Sequence, residues 1–222
     1  MGKICENIEK LLQELNGKAK LLLATKERSI EEIQEAIKCG ARVFGENYLQ
    51  EAEVKISTIG HIVEWHYIGS IQKRKIKKLV KTFDVIETVD SLETAFIIDK
   101  ESEKFGKITS VLIEINSGRE PQKSGVMPED ALKLSFEITK FNWIRLTGFM
   151  TMGPNYSNPE DLRPYFRLTK QIFDTAIAKR FFRTDSPILS MGMSNSYKIA
   201  LEEGANLVRI GTLVFGERKG KV

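Results

Sequence analysis

Residues 21 to 26 read Leu-Leu-Leu-Ala-Thr-Lys, a short apolar run that stops on a lysine. A continuous apolar run of this length suits a strand covered on both faces, as the strands of a parallel sheet are. The period then changes. Ser29 and Glu32 form an S-x-x-E capping box, Ile30, Ile33 and Ile37 share one helical face, and Gly40 supplies the stop. One strand followed by one helix defines a unit, and that unit recurs along the chain.

Eight strands are expected: LLLAT (21–25), ARVFG (41–45), EWHYI (64–68), FDVIET (83–88), ITSVLIEI (108–115), IRLTGFM (144–150), PILSM (187–191) and LVRI (207–210). Helical signals separate them. Asp90 with Glu93 opens one helix and Gly106 closes it; Asn158 and Pro159 open another whose Leu162, Phe166 and Phe173 face inward; Gly204 ends the last crossover. Eight alternations without a Gly/Pro/Ser-rich linker favour an α/β fold, a single (β/α)8 TIM barrel over residues 1–222, above an open doubly wound sheet. Upstream, Ile4, Ile8, Leu11, Leu12 and Leu15 give an additional N-terminal helix expected to cap the barrel's bottom or side.

Composition narrows the classes. With 41% hydrophobic residues the chain can bury one core but not a second substantial domain. The 34 basic residues exceed the 30 acidic ones too slightly to call for nucleic acid or an anionic membrane. Acidic residues interrupt the N-terminal apolar positions, so neither a secretory core nor a membrane span is expected there. Cys5 and Cys39 fit neither a disulfide framework nor a metal site, and a reducing cytoplasm is the simplest setting.

In a barrel of this kind chemistry collects where strands end. Lys26 follows the first strand, Glu46 and Asn47 the second, Gly69 and Ser70 the third, Asn116 and Ser117 the fifth, Thr151 the sixth, and Gly192, Met193 and Ser194 the seventh; Arg209, Gly211 and Thr212 surround the end of the eighth. A lysine desolvated at a barrel mouth supplies the neutral amine that attacks an aldehyde, although the position alone suits a solvent-facing lysine equally well. Ser194, expected at a helix N-terminus, and the Gly211-Thr212 turn lie in the two loops where such barrels commonly bind phosphate; the alternative is ordinary turn glycines and an N-cap. Arg209 should share the inward face of Gly211, and a buried guanidinium needs a partner: a ligand, or a carboxylate such as Glu46 or Glu114.

Several blocks, taken in order, resemble a known family. They are ATK with Lys26, FGENYLQE (44–51), WHYIGSIQ (65–72), KSG (123–125), GFMTM (148–152), LSMGMS (189–194) and VRIGTLVFG (208–216). The family is the YggS/PROSC or pyridoxal phosphate homeostasis proteins, which resemble the N-terminal barrel of alanine racemase. The resemblance implies that Lys26 forms an aldimine with pyridoxal 5′-phosphate, that Ser194, Gly211 and Thr212 hold its phosphate, that Arg209 faces the pyridine nitrogen, and that Asn47 lines the pocket. It further implies a carrier or regulator of the cofactor, serving apo-enzymes and catalysing no established reaction, while the lack of room for a second domain makes a monomer the expected state. Two positions depart from the family: Ser196 stands where an acidic residue is frequent, and Gln72-Lys73-Arg74-Lys75 replaces Gln-x-Asn-Lys.

Rival readings attach to specific residues. A racemase-like enzyme and a Schiff-base aldolase acting on a sugar phosphate would both use Lys26. The run KRKIKKLVK (73–81) suggests nucleic acid, yet Ile76, Leu79, Val80 and Phe83 have helical spacing, so its lysines read as the solvated face of an outer helix. His66 is a general base or a residue facing the helices, with the second reading favoured; His61 is a loop residue; Tyr67 is a ring contact or core filler. Lys123 is a candidate second amine for passing cofactor onward.

Overall fold

The computed structural model describes residues 2–217. Its strands are β1 (Lys20–Ala24), β2 (Val43–Glu46), β3 (Glu64–Tyr67), β4 (Val85–Val89), β5 (Thr109–Glu114), β6 (Ile144–Met150), β7 (Ile188–Ser190) and β8 (Leu207–Ile210). They pair in sequence order, all parallel, and β8 returns to β1 through Lys20↔Leu207 to Leu23↔Ile210, which closes the barrel. The helices are α1 (Lys3–Leu15), α2 (Ile30–Lys38), α3 (Leu49–Ile59), α4 (Ile76–Thr82), α5 (Leu92–Phe105), α6 (Ala131–Ile138), α7 (Arg163–Ala178), α8 (Tyr197–Glu202) and α9 (Thr212–Phe215).

The expected strands are present, with β2 and β4 each starting two residues late. The amide of Ala41 bonds the carbonyl of Ala36 and that of Phe83 bonds the carbonyl of Leu79, so both residues close the preceding helix before a strand begins. The Ser29 capping box of α2 forms in both directions. At α5 the cap is Ser91 rather than Asp90: the Ser91 hydroxyl accepts from the amide of Thr94, while Asp90 accepts from the hydroxyls of Ser91 and Thr94.

Strand alternation sends side chains to two cores. Outward residues such as Phe44, Trp65, Ile86 and Phe149 join the helices in one large apolar layer; Phe149, Phe173 and Phe182 meet edge-on and tilted within it. Inward residues form only small apolar groups, Leu22, Val43 and Leu207 in one and Val85, Leu112 and Met150 in another. The rest of the interior is polar. In the basic run, Ile76, Leu79, Val80 and Phe83 are fully buried, and Lys73 and Lys78 pair with Glu93 and Glu53 at the surface.

α1 lies along the barrel's side. Asn7 Nδ2 donates to the Val214 carbonyl of α9 at 3.1 Å, and the Tyr197 hydroxyl of α8 donates to Glu14 at 2.5 Å. Against expectation, Cys5 and Cys39 form a disulfide, their Cα atoms 5.2 Å apart. The pairing depends on α1 packing beside α2, and a separation of 34 residues carries no trace of that. No helix among the described residues is long and apolar enough to cross a membrane.

Candidate functional site

At the C-terminal end of the barrel, Lys26, Asn47, Ser194, Arg209, Gly211 and Thr212 all line one cavity of about 380 Å³. Six residues proposed from separate strand ends are thus brought together. Two cations line this cavity, and no Asp or Glu does among its described lining residues.

Lys26 is half-buried, with Nζ 4.8 Å from the centroid of the Tyr48 ring. The backbone around it is pinned from behind. Glu27 adopts φ 62°, an unfavourable left-handed conformation for a non-glycine residue, and its amide donates to Glu51 Oε1 at 2.6 Å. Lys55, buried on α3, donates to the Thr25 carbonyl at 2.6 Å, to Glu46 at 2.7 Å and to Glu51 at 2.5 Å. Burial raises the Glu46 carboxyl above its ordinary range against the pull of Lys55 and Thr25. Glu46 therefore serves the lysine's support and not Arg209. Sequence reasoning missed Lys55; its only signal is the i, i+4 spacing from Glu51, which surface helices share.

Ser194 does not cap α8. Ser196 holds the N-cap position but makes no side-chain cap bond; its hydroxyl accepts instead from the amide of Met193 at 3.1 Å, back in the loop. Ser194 Oγ instead faces the amide of Gly211 at 3.4 Å, joining the two loops. Among the described residues the amides of Ser194 and Asn195 donate to nothing, which leaves them available to an anion. The turn requires Gly192: φ is 90°, and a Cβ there would lie 2.5 Å from the Cβ of Ala200.

Arg209 is buried, and its Nη atoms are fully engaged. Nη1 donates to the Ser190 carbonyl at 2.9 Å and hydroxyl at 2.6 Å; Nη2 donates to the Thr151 carbonyl at 2.8 Å and approaches Met152 Sδ at 3.6 Å. Neither Glu46 nor Glu114 touches it. Its anion is Glu87, reached through Ser190, whose hydroxyl donates to Glu87 Oε2 at 2.6 Å.

His66 points into the barrel, contrary to the favoured helix-facing reading, because alternation along β3 sends Trp65 and Tyr67 outward. Its Nδ1 lies 2.5 Å from Glu87 Oε1, and Nε2 lies 3.2 Å from Glu64 Oε1 without hydrogen-bond alignment. Burial alone would depress the imidazole, but the two flanking carboxylates outweigh it and raise it to about 9. Burial works to raise Glu87, yet the bonds from His66 and Ser190 and the field of Arg209 hold it below the usual range.

The remaining candidates lie apart. The Ser117 and Thr151 hydroxyls pair at 2.8 Å, and Asn116 ties down its own loop through the Glu120 carbonyl. Lys123 bonds Glu120 and the Gly153 carbonyl beside a neighbouring cavity of about 400 Å³, which Glu114 also lines. There burial raises Glu114 to about 7, against the field of Arg209. The Tyr67 hydroxyl donates to the Ser70 carbonyl, and His61 sits at the surface beside Asp84.

A closed parallel barrel with a mouth lysine, joined small-residue turns after β7 and β8, and a buried arginine on β8 defines an alanine-racemase-type barrel. The family model for the alanine racemase N-terminal domain matches residues 1–219. The chain belongs to the pyridoxal phosphate homeostasis proteins. It is 41% identical to the one from Aquifex aeolicus over 99% of this chain and 97% of that protein, and 35% identical to the Schizosaccharomyces pombe one, covering 93% and 87%. Among solved structures, PipY of Synechococcus elongatus with PLP bound superposes with a TM-score of 0.87 at 27% identity, over 96% of this chain and all of that one. Alanine racemase of Clostridium difficile shares the fold at 17% identity and a TM-score of 0.81, with this chain covering 58% of its length.

Proposed function

We propose that this protein holds pyridoxal 5′-phosphate in the mouth cavity, with Lys26 forming the covalent C=N link to its aldehyde, and acts as a cytoplasmic, monomeric carrier or regulator of that cofactor. When bound, the cofactor supplies a reactive aldehyde and an electron-withdrawing ring. One observation carries the reading: Lys26, Arg209 and the Ser194, Gly211 and Thr212 turns line a single cavity that no carboxylate shares among the described residues. Its volume, about 380 Å³, lies within the range of small-ligand sites. A dianionic phosphate suits such a lining, and it would take the amides of Ser194 and Asn195 together with the Thr212 hydroxyl.

Arg209 bears on whether the protein turns substrates over. A permanently charged guanidinium at the ring nitrogen opposes protonation there and weakens the ring as an electron sink. Racemisation on such a ring needs a second acid-base side chain beside Lys26, and no Tyr, His, Cys, Asp or Glu is among the described lining residues, which favours holding and release to apo-enzymes. A sugar-phosphate aldolase has less support, since it accounts for the phosphate turn and the lysine but not for the arginine.

The test is spectroscopic and covalent. Protein incubated with pyridoxal 5′-phosphate should turn yellow, borohydride should bleach it, and the added mass should map to the peptide carrying Lys26; Lys26→Ala should abolish all three. Modification at Lys55 or Lys123 instead, or a colourless protein, would overturn the reading.

A further inference from the structure

Through the barrel interior runs a line of contacts from β3 to β8: Glu64, His66, Glu87, Ser190, Arg209. The charges alternate in sign along it, with the neutral Ser190 between the last two, so the four buried or part-buried ions sum to zero. Each link constrains the next. His66 Nδ1 supplies a proton to Glu87 Oε1, leaving Oε2 for Ser190. A hydroxyl has one hydrogen; because Ser190 gives its own to Glu87, toward Arg209 it can only accept. The four Nη hydrogens of Arg209 then have four acceptors in Ser190 O, Ser190 Oγ, Thr151 O and Met152 Sδ. Nε–H has no acceptor among the described residues, and Arg209 lines the mouth cavity. One donor of fixed direction is therefore left for a ligand.

We propose that His66, Glu87 and Ser190 are positioning residues that lock Arg209 with Nε–H directed at the ring position of the bound cofactor, so that the cavity selects an aromatic aldehyde phosphate carrying an unprotonated acceptor atom there. The inference rests on the cofactor reading given above and adds to it the origin of ring selectivity. The phosphate turn lies at the opposite end of the ligand and shares no bond with this line.

The experiment compares three ligands: pyridoxal 5′-phosphate, its carbocyclic analogue with C–H in place of the ring nitrogen, and inorganic phosphate. Binding is measured by titration to the wild type, Ser190→Ala, Ser190→Thr and Glu87→Gln, with near-ultraviolet circular dichroism verifying that each variant is folded. Ser190→Ala removes a single hydroxyl and is the variant expected to fold without difficulty. We expect Ser190→Ala and Glu87→Gln to weaken pyridoxal 5′-phosphate about tenfold, the loss of one charge-assisted bond, and to shift its absorption maximum. The analogue and inorganic phosphate should change by less than about twofold, since neither meets a donor at the ring position. Ser190→Thr, which keeps the hydroxyl, should restore affinity and spectrum. A merely structural role would weaken all three ligands together and leave the absorption maximum in place; that result overturns the proposal while the cofactor reading stands. If the wild type binds phosphate but not pyridoxal 5′-phosphate, the cofactor reading itself fails, and this inference with it.

Discussion

At the rim of the barrel, Lys26 Nζ makes no hydrogen bond among the described residues, Asn47 makes one long contact of 3.4 Å to the Ile68 carbonyl, and the amides of Ser194 and Asn195 point at nothing. One layer deeper, Arg209, Ser190, Glu87 and His66 place most of their donors on one another or on Thr151, with Arg209 Nε and His66 Nε2 left over. The same barrel thus keeps polar groups idle at its mouth and mostly paired inside. Burial explains the contrast: an unpaired charge in the interior is costly, whereas half-exposed rim groups keep water as a partner until a ligand displaces it. Rim groups can therefore serve binding with little effect on folding, and interior groups cannot.

The sharpest way to break this comparison is to remove one member of each layer. Glu87→Ala strands a buried imidazolium and guanidinium and should cost about 3–5 kcal/mol in urea unfolding, whereas Lys26→Ala should cost less than about 0.5 kcal/mol while abolishing the cofactor link. Equal destabilisation would erase the distinction. Outside both layers, Cys5→Ser should lower stability by about 3–4 kcal/mol, the entropy of the loop that the bridge closes, and leave cofactor affinity unchanged. A loss of affinity in that variant would mean that the bridge, and not the Asn7 bond alone, holds α1 in place beside the site.

The boundary between layers is probed by pH. Glu114 titrates near 7 when folded and near its ordinary 4.5 when unfolded, so the folded state prefers the protonated form. Below 4.5 the group contributes nothing; its penalty grows as pH rises from 4.5 to 7 and is complete above. Glu114→Gln should therefore raise stability by roughly 3 kcal/mol at pH 8 and leave it unchanged at pH 4. His66 works in a higher window. Its raised value, about 9, means that its contribution is whole below 6.5 and disappears as pH climbs through 9, so the urea midpoint of the wild type should fall across that interval and flatten in His66→Asn. The smallest effect belongs to the rim: Ser194→Ala should change stability by less than about 0.5 kcal/mol and weaken inorganic phosphate severalfold in a competition titration.

The barrel was legible because its determinants are local. Apolar runs of five or so residues, the Ser29 box and the Gly106 and Gly204 stops each act within one turn of chain. The rim was legible for a related reason: once strands are placed, the barrel rule assigns their ends to one mouth, and Lys26, Ser194 and Thr212 follow. The interior line was not. His66 and Glu87 lie 21 residues apart and Glu87 and Ser190 lie 103 apart, so their contact exists only after the sheet has closed. Arg209 illustrates the limit well. Its need for a partner was evident from burial, but Glu46 and Glu114 were the carboxylates in view, and the bridging Ser190 could not be anticipated from spacing. Lys55 and the Cys5–Cys39 bridge escaped for the same reason, since both depend on how helices lean on neighbours.

α1 stands outside the eightfold repeat, and the Asn7 bond to the Val214 carbonyl gives it a hold on α9, which begins at Thr212. The Gly211-Thr212 turn is consequently buttressed by a segment outside the eight strand-helix units. Anyone trimming this protein to its repeating units, or grafting its mouth onto another eight-stranded scaffold, would have to carry that first helix along to keep α9 where it stands.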